Sequence, residues 1–190
     1  MSRSFTRAEI DQIIKPIERP IHSFHQSFDG IERFLENLTR DCPAGYELVP
    51  DFQRGHVWTD QQRTHFIENV LRRIVSDDGL MIRLNCPSWR WDPKPDSDLP
   101  DQAVCIDGLQ RLTAIRAFMS GEVNPFGLTK DQICSGWGMR RIDRMVVFQI
   151  YDFQYRRDLL QFYLDINGGG TPHTPAELER VQQLLKESAA

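Results

Sequence analysis

The sequence Val104-Cys105-Ile106-Asp107-Gly108-Leu109-Gln110-Arg111 sets the centre of this fold. Its apolar first half predicts a buried strand, and the Asp-Gly pair predicts a sharp turn at the end of that strand. A helix is then expected from about Leu109 to Met119. A strand that passes directly into a helix is typical of a chain that mixes α and β structure.

The same turn has the residue types of an anion site. Free amides at a helix start attract phosphate, and Gly108 would let a ligand approach the backbone closely. Arg111 lies in the first turn, where the helix dipole disfavours a cation, so a bound anion would offset that cost. Asp107 could hold a magnesium ion or orient a water. In the structural alternative Asp107 caps the helix and Arg111 is a solvated or paired surface residue.

Hydrophobic spacing predicts the remaining elements. The expected strands are Tyr46–Val49, Leu80–Leu84, Gln102–Ile106 and Arg144–Tyr151, within a total of about five. Besides the helix at Leu109, helices are expected over 7–17, 29–39 and 155–166 and after the capping residues Thr59, Thr129 and Thr174. The helix after Thr59 would pack through Phe66, Ile67, Val70, Leu71 and Ile74. We expect one α+β (mixed α/β) domain over 1–190, with its core over about 30–180 and a helical N-terminal extension over 1–28.

Composition narrows the class of protein. The chain has 190 residues, of which 40% are hydrophobic and 26% charged, as in ordinary globular domains. Apolar runs such as Met145-Val146-Val147-Phe148 fall far short of the roughly 20 residues that span a membrane. The first ten residues contain no apolar signal core, so we expect a cytoplasmic protein.

Charge and cysteine content add two expectations. The net charge of -4 argues against a general nucleic-acid coat, although a local basic face of Arg140, Arg141 and Arg144 could contact DNA. The alternative is that these arginines form a solvated face. The four cysteines include no Cys-x-x-Cys pair, so we expect buried free thiols rather than disulfides.

Two further segments have unusual composition. The loop Val49–Trp58 carries Gln53, Arg54 and His56 between a strand and a helix, and an arginine there suits a phosphate group. The alternative is an arginine paired with a surface carboxylate. The segment Phe162–Thr174 ends a helix in Asn-Gly-Gly-Gly, which favours close approach of a ligand, whereas a plain helix end needs only one glycine.

Together the three segments resemble the ParB/sulfiredoxin-like superfamily, and most closely the N-terminal domain of GmrSD-type modification-dependent restriction proteins. The matching stretches are Phe52–Trp58, Asp107–Thr113 and Phe162–Pro172, within a resemblance that covers roughly residues 30–180. The resemblance implies a small mixed sheet flanked by helices.

The resemblance also implies that the domain binds a nucleoside triphosphate with Mg²⁺ and hydrolyses it, in a role linked to DNA restriction or phage conflict. The implied location is the cytoplasm of a bacterial or phage-infected cell. The implied catalytic residues are Asp107, Gln110 and Arg111, with Asp107 also the metal ligand. The implied nucleotide-binding residues are Gln53, Arg54, Gly108, Asn167, Gly169, Gly170 and Thr171. A further partner implied by the resemblance is DNA or a nuclease protein. A membrane is not expected as a partner.

One departure from the family pattern bears on catalysis. Leu109 stands where relatives have glutamine, so we expect a drier pocket and weaker hydrolysis, which Leu109→Gln would raise. We find no HNH or PD-(D/E)-x-K arrangement, so a complete nuclease is not expected in this chain. The alternatives are a DNA-nicking nuclease that uses the same pocket, and a non-catalytic binding or inhibitor module.

Overall fold

The computed structural model describes residues 4–188 except 43, 54, 56, 90–93 and 169–174. Within that part the helices are α1 (Arg7–Ile14), α2 (Ile31–Asp41), α3 (Asp60–Leu71), α4 (Leu109–Ser120), α5 (Lys130–Gly136), α6 (Arg156–Asn167) and α7 (Pro175–Glu187). The strands are β1 (His22–Ser27), β2 (Tyr46–Glu47), β3 (Met81–Asn85), β4 (Ala103–Asp107) and β5 (Met145–Tyr151). The predicted α+β class is confirmed.

The five strands form one mixed sheet in the order β1-β5-β3-β4-β2. Strand β5 runs antiparallel to β1 and parallel to β3, while β4 runs antiparallel to β3 and parallel to β2. Strand β3 is therefore central, and the carboxyl end of β4 lies at the same edge as the amino ends of β3 and β5.

Strand β1 was not predicted, and it lies within the segment expected to be a helical extension. Its sequence, His-Ser-Phe-His-Gln-Ser, lacks an apolar alternation. An edge strand needs little apolar surface, and here Phe24 packs on Phe34 of α2 with ring centroids 5.5 Å apart. The N-terminal segment thus contributes a strand as well as α1.

The sheet is covered on both faces. The larger core lies under α2–α5 and includes Leu35, Leu84, Ile115, Phe118 and Phe148. The smaller core lies under α6 and α7 and includes Phe52, Ile106, Tyr151, Leu160 and Phe162. None of the helices described is long and apolar enough to cross a membrane.

Local signals placed the helices well. Capping boxes at Thr59 and Thr129 begin α3 and α5 as predicted, whereas Thr174 lies outside the described residues. The predicted apolar stripe is wrong at Ile74, which is 60% exposed. The reason is that α3 ends at Leu71 and Arg73 adopts a left-handed conformation with φ +62°.

The cysteine prediction is wrong for one pair. Cys42, at the end of α2, forms a disulfide with Cys86, just beyond β3, and the two Cα atoms lie 6.5 Å apart. The 44-residue separation gave no local sign of this pairing. Cys105 and Cys134 are buried free thiols, as expected.

Candidate functional site at the Asp107 corner

Asp107 lies between two arginines at the end of β4. Its Oδ2 atom accepts hydrogen bonds from Arg83 Nη1 at 2.7 Å and from Arg111 Nη2 at 2.8 Å. All three side chains are about a quarter exposed, at 24–25%. Two positive charges and one negative leave a net charge of +1 in a partly desolvated corner. We call this group of Arg83, Asp107 and Arg111 the Asp107 corner.

A β-bulge creates the contact between Asp107 and Arg83. Leu84 pairs with Cys105, but the next residue of β3, Arg83, pairs with Asp107, so β4 carries one extra residue, Ile106. Strict alternation from Cys105 would aim Asp107 at the larger core. The bulge turns it instead to the face that carries Arg83.

Arg83 was missed by the sequence analysis. The available signal was an arginine between Ile82 and Leu84, both fully buried in the larger core. In a strand of period two this arginine lies on the opposite face of the central strand, where a charged group needs a partner. The sequence alone did not show that Asp107 is that partner.

Gly108 is explained by packing. It adopts φ +95°, and a Cβ atom there would lie 2.8 Å from the Met81 carbonyl oxygen and 2.7 Å from Ile82 Cδ1. The space beside this glycine is thus filled by β3, not left for a ligand. Gly108 is also the N-cap of α4 and supplies no side-chain cap. The structural alternative that made Asp107 the helix cap is therefore wrong.

Gln110 and Gln53 tie the loop 50–58 to this corner. The Gln110 amide donates to the Gly55 carbonyl at 2.7 Å and accepts from the Val57 and Trp58 amides, each at 3.2 Å. Gln53 Nε2 donates to the Cys105 carbonyl at 3.0 Å, just past the point where β2 stops pairing with β4. Both glutamines were predicted as site residues, but their side chains hydrogen-bond to backbone groups that join the loop 50–58 to β4 and α4.

Two polar atoms near the corner have no partner within the described residues. They are Gln53 Oε1, on a side chain that is 9% exposed, and Arg83 Nε. Buried polar groups are nearly always hydrogen-bonded, so these two atoms are exceptions in the packing around the corner.

Two neighbouring groups that could ionise stay neutral. Burial raises the pKa of the Cys105 thiol to about 12, so this cysteine is not a nucleophile near neutral pH. Burial also raises the pKa of Tyr151, with Arg83 acting in the opposite direction. The Tyr151 hydroxyl donates to Gln149 Oε1 at 3.1 Å.

Leu109 does not line the corner. It is 3% exposed and belongs to the larger core, so the expectation that it makes the pocket drier is wrong. The first turn of α4 places the Leu109 side chain in the larger core, whereas the Arg111 side chain lies against Asp107.

Of the remaining predicted nucleotide residues, Asn167 lies within the described part of the chain. Asn167 donates to the Tyr163 carbonyl of its own helix at 2.8 Å. Arg54, Gly169, Gly170 and Thr171 lie outside the described residues.

The predicted basic face divides into two kinds of residue. Arg140 and Arg141 are exposed. Arg144 is 9% exposed and donates to the Val75 carbonyl at 2.7 Å, so it is a structural arginine and the prediction of a surface contact is wrong. Arg144 directly precedes β5, which lies between β1 and β3 in the sheet.

The described residues do not fit a metal held by protein alone. They contain no cluster of three His, Cys, Asp or Glu side chains that could bind a metal ion. Asp107 is already bound by two guanidinium groups, which would repel a cation at that carboxylate.

Fold and site together define a mixed α/β domain with a basic corner where a strand turns into a helix. Residues 31–144, more than half of the chain, match the family model described as GmrSD restriction endonuclease, N-terminal domain, and the chain belongs to that family. The match contains Arg83, Asp107 and Arg111, and it associates the chain with DNA restriction. Searches of curated proteins and of solved structures gave no match.

Proposed function

We propose that the Asp107 corner binds the phosphate groups of a nucleoside triphosphate and that this domain hydrolyses the triphosphate in support of DNA restriction. The observation that carries the proposal is the pair of guanidinium groups held on one carboxylate, with a net charge of +1. The corner lies beside the start of α4, whose N-cap provides no side-chain acceptor for the first amides. Helix amides and arginine forks are both good phosphate ligands.

Asp107 would act as a positioning residue for both arginines. Each guanidinium has five N–H donors, and the shared carboxylate fixes the direction in which the others point. Phosphoryl transfer depends mainly on positioning and on charge stabilisation, which two preorganised cations supply.

A magnesium ion would have to arrive with the triphosphate. Mg²⁺ commonly keeps several waters and is held by phosphate oxygens with only one or two carboxylates. No step of the proposal depends on a metal bound by this chain.

A nucleotide-binding module without hydrolysis is the second candidate. It is favoured by Gln110, because this predicted catalytic amide is occupied by the loop backbone at Gly55, Val57 and Trp58. The two candidates share the same phosphate contacts and differ only in turnover.

Equilibrium binding of a fluorescent triphosphate analogue tests the shared part. Arg83→Ala and Arg111→Ala should each weaken binding about tenfold or more, since a charged hydrogen bond contributes about 1.5–3 kcal/mol. Arg116→Ala is the matched control on α4, because Arg116 pairs with Glu32 at 2.7 Å away from the corner. Wild-type affinity in both corner variants would overturn the phosphate site.

Phosphate release then separates the two candidates. Each of the four triphosphates is tested with wild type and Asp107→Asn, with and without DNA. The hydrolase predicts release by wild type and loss in Asp107→Asn with binding retained. Tight binding without release by wild type favours the binding module.

A further inference from the structure

A second candidate surface is formed by the residues that follow α3 and α5 and by the turn between α4 and α5. It consists of Arg72, Arg73, Phe126, Leu128 and Trp137, and we call it the Trp137 surface. Trp137 is 55% exposed and lines two shallow cavities of about 340 and 240 Å³. The larger cavity is bordered by Phe126 and Leu128, and the smaller by Arg73.

Backbone strain is concentrated on this surface. Among the described residues three non-glycine residues have positive φ, and two of them are Arg73 at +62° and Phe126 at +56°. The Phe126 amide donates to Glu68 Oε1 at 3.1 Å, which fixes the turn and leaves the phenyl ring 53% exposed. A strained aromatic residue held toward solvent needs a functional explanation more than a packing one.

The charge around Trp137 is positive although the chain is acidic. Arg72 and Arg73 are exposed, and Arg140 and Arg141 follow Trp137 by three and four residues and are exposed as well. Two carboxylates lie near these four arginines, and the local net charge stays positive: Glu68 accepts from the Phe126 amide, and Asp143 pairs with Arg73 at 3.4 Å. A polyanion is therefore the complementary partner.

We propose that the Trp137 surface binds single-stranded nucleic acid. Bases would stack on Trp137 and Phe126 while phosphates pair with the arginines, the combination that single-strand binding surfaces use. A duplex keeps its bases stacked inside, so it offers nothing to these two rings. An acidic protein would use the arginines but gains less from two exposed rings beside shallow cavities.

The proposal is independent of the nucleotide site. The Trp137 surface and the Asp107 corner share no residue. Residues 74–78 connect Arg73 of the surface to Gly79, whose carbonyl accepts from Arg111 Nη1 at 3.5 Å. Each can be tested with the other site intact.

The test uses the full chain and a labelled oligothymidylate of about 20 nucleotides, followed by fluorescence anisotropy. Trp137→Ala should weaken binding at least about fivefold, while Trp137→Phe keeps most of the affinity because it keeps a ring. The affinity should fall with rising salt, and Arg72→Ala should make the slope of log affinity against log salt less negative by about 0.7. Arg157→Ala is the control, because Arg157 is 63% exposed on α6 at the other face of the sheet.

Two competitors complete the test. A duplex of equal length and a polyglutamate peptide of equal length should both compete weakly. Effective competition by the duplex or by polyglutamate, or unchanged binding of oligothymidylate by Trp137→Ala, overturns the proposal. All variants lie at exposed positions, so thermal midpoints close to that of wild type are expected and are measured alongside.

Discussion

At the scale of single residues, the Asp107 corner shows how one carboxylate organises two cations. The guanidinium groups of Arg83 and Arg111 would repel each other, and their shared bonds to Asp107 Oδ2 offset that repulsion. Because the three side chains are a quarter exposed, solvent screens part of these interactions. The contribution to stability is therefore modest, and the main consequence is a fixed direction for both arginines.

Leu109→Gln should destabilise the protein and should not raise hydrolysis. The side chain is buried in the larger core, where an unpartnered amide costs about 1–3 kcal/mol beyond the lost apolar burial. Urea unfolding measures the loss, with Leu128→Gln as the control because Leu128 is 42% exposed. A Leu109→Gln protein as stable as wild type, with faster phosphate release, would show that residue 109 faces the ligand.

Cys105 should make stability fall at high pH. Burial raises its pKa from 9.0 to about 12, so the folded state holds the proton more tightly than the unfolded state does. The stabilisation is complete below pH 9 and is lost as pH rises toward 12, at up to about 1.4 kcal/mol per pH unit. Unfolding free energies between pH 8 and 10 should therefore fall less steeply in Cys105→Ala than in wild type. Equal slopes would mean that the thiol is accessible to water.

At the scale of elements, two left-handed glycines border α4 and have different roles. Gly108 begins the helix at φ +95° with β3 against it, whereas Gly121 ends the helix at φ +85° with no atom within 4 Å of a Cβ. The first position therefore fixes how β3, β4 and α4 meet. The second fixes only how the helix terminates.

Gly108→Ala should be much more damaging than Gly121→Ala. Both substitutions strain a left-handed backbone at a cost of roughly 1–2 kcal/mol. Only the first also forces a Cβ atom against the Met81 carbonyl and Ile82, which should add about 2 kcal/mol or more. Thermal unfolding of the two variants measures this difference. Equal destabilisation would contradict the tight contact between Gly108 and β3.

At the scale of the whole molecule, the loop 50–58 and the disulfide join distant parts of the fold. Asp51 pairs with Arg156 of α6 at 2.6 Å, and Phe52 packs on Tyr163 with ring centroids 5.2 Å apart. Gln53 and Gln110 hold the same loop on β4 and α4. The Cys42–Cys86 bond links the end of α2 to the end of the central strand.

Reduction of the Cys42–Cys86 disulfide should lower the thermal midpoint. Closing a 44-residue separation stabilises by about 4 kcal/mol in the chain-entropy estimate, which corresponds to roughly 10 °C for a chain of this size. Thermal unfolding with and without reductant measures the shift. The double variant Cys42→Ser/Cys86→Ser is the control and should not respond to reductant. A wild type that ignores reductant and titrates with four thiols after unfolding would show that the bond does not form.

Local sequence patterns predict most of the elements and two of the three residues of the Asp107 corner. Helix starts at Thr59 and Thr129, and the strand, Asp-Gly turn and helix at 104–111, depend on contacts between residues only a few positions apart. Local pattern therefore suffices for them. The family motif at Asp107 and Arg111 lies within the same short range.

The partners of these residues follow from the packing of distant elements. Arg83 meets Asp107 across a separation of 24 residues, and Cys42 meets Cys86 across 44. The first contact depends on strand register, including one extra residue in β4, and the second on where the end of α2 lies relative to the end of β3. The inward turn of Leu109 and the role of Gln110 as a loop anchor follow from the same packing. Local periodicity does not encode how separate elements align, so these features became visible only in the folded chain.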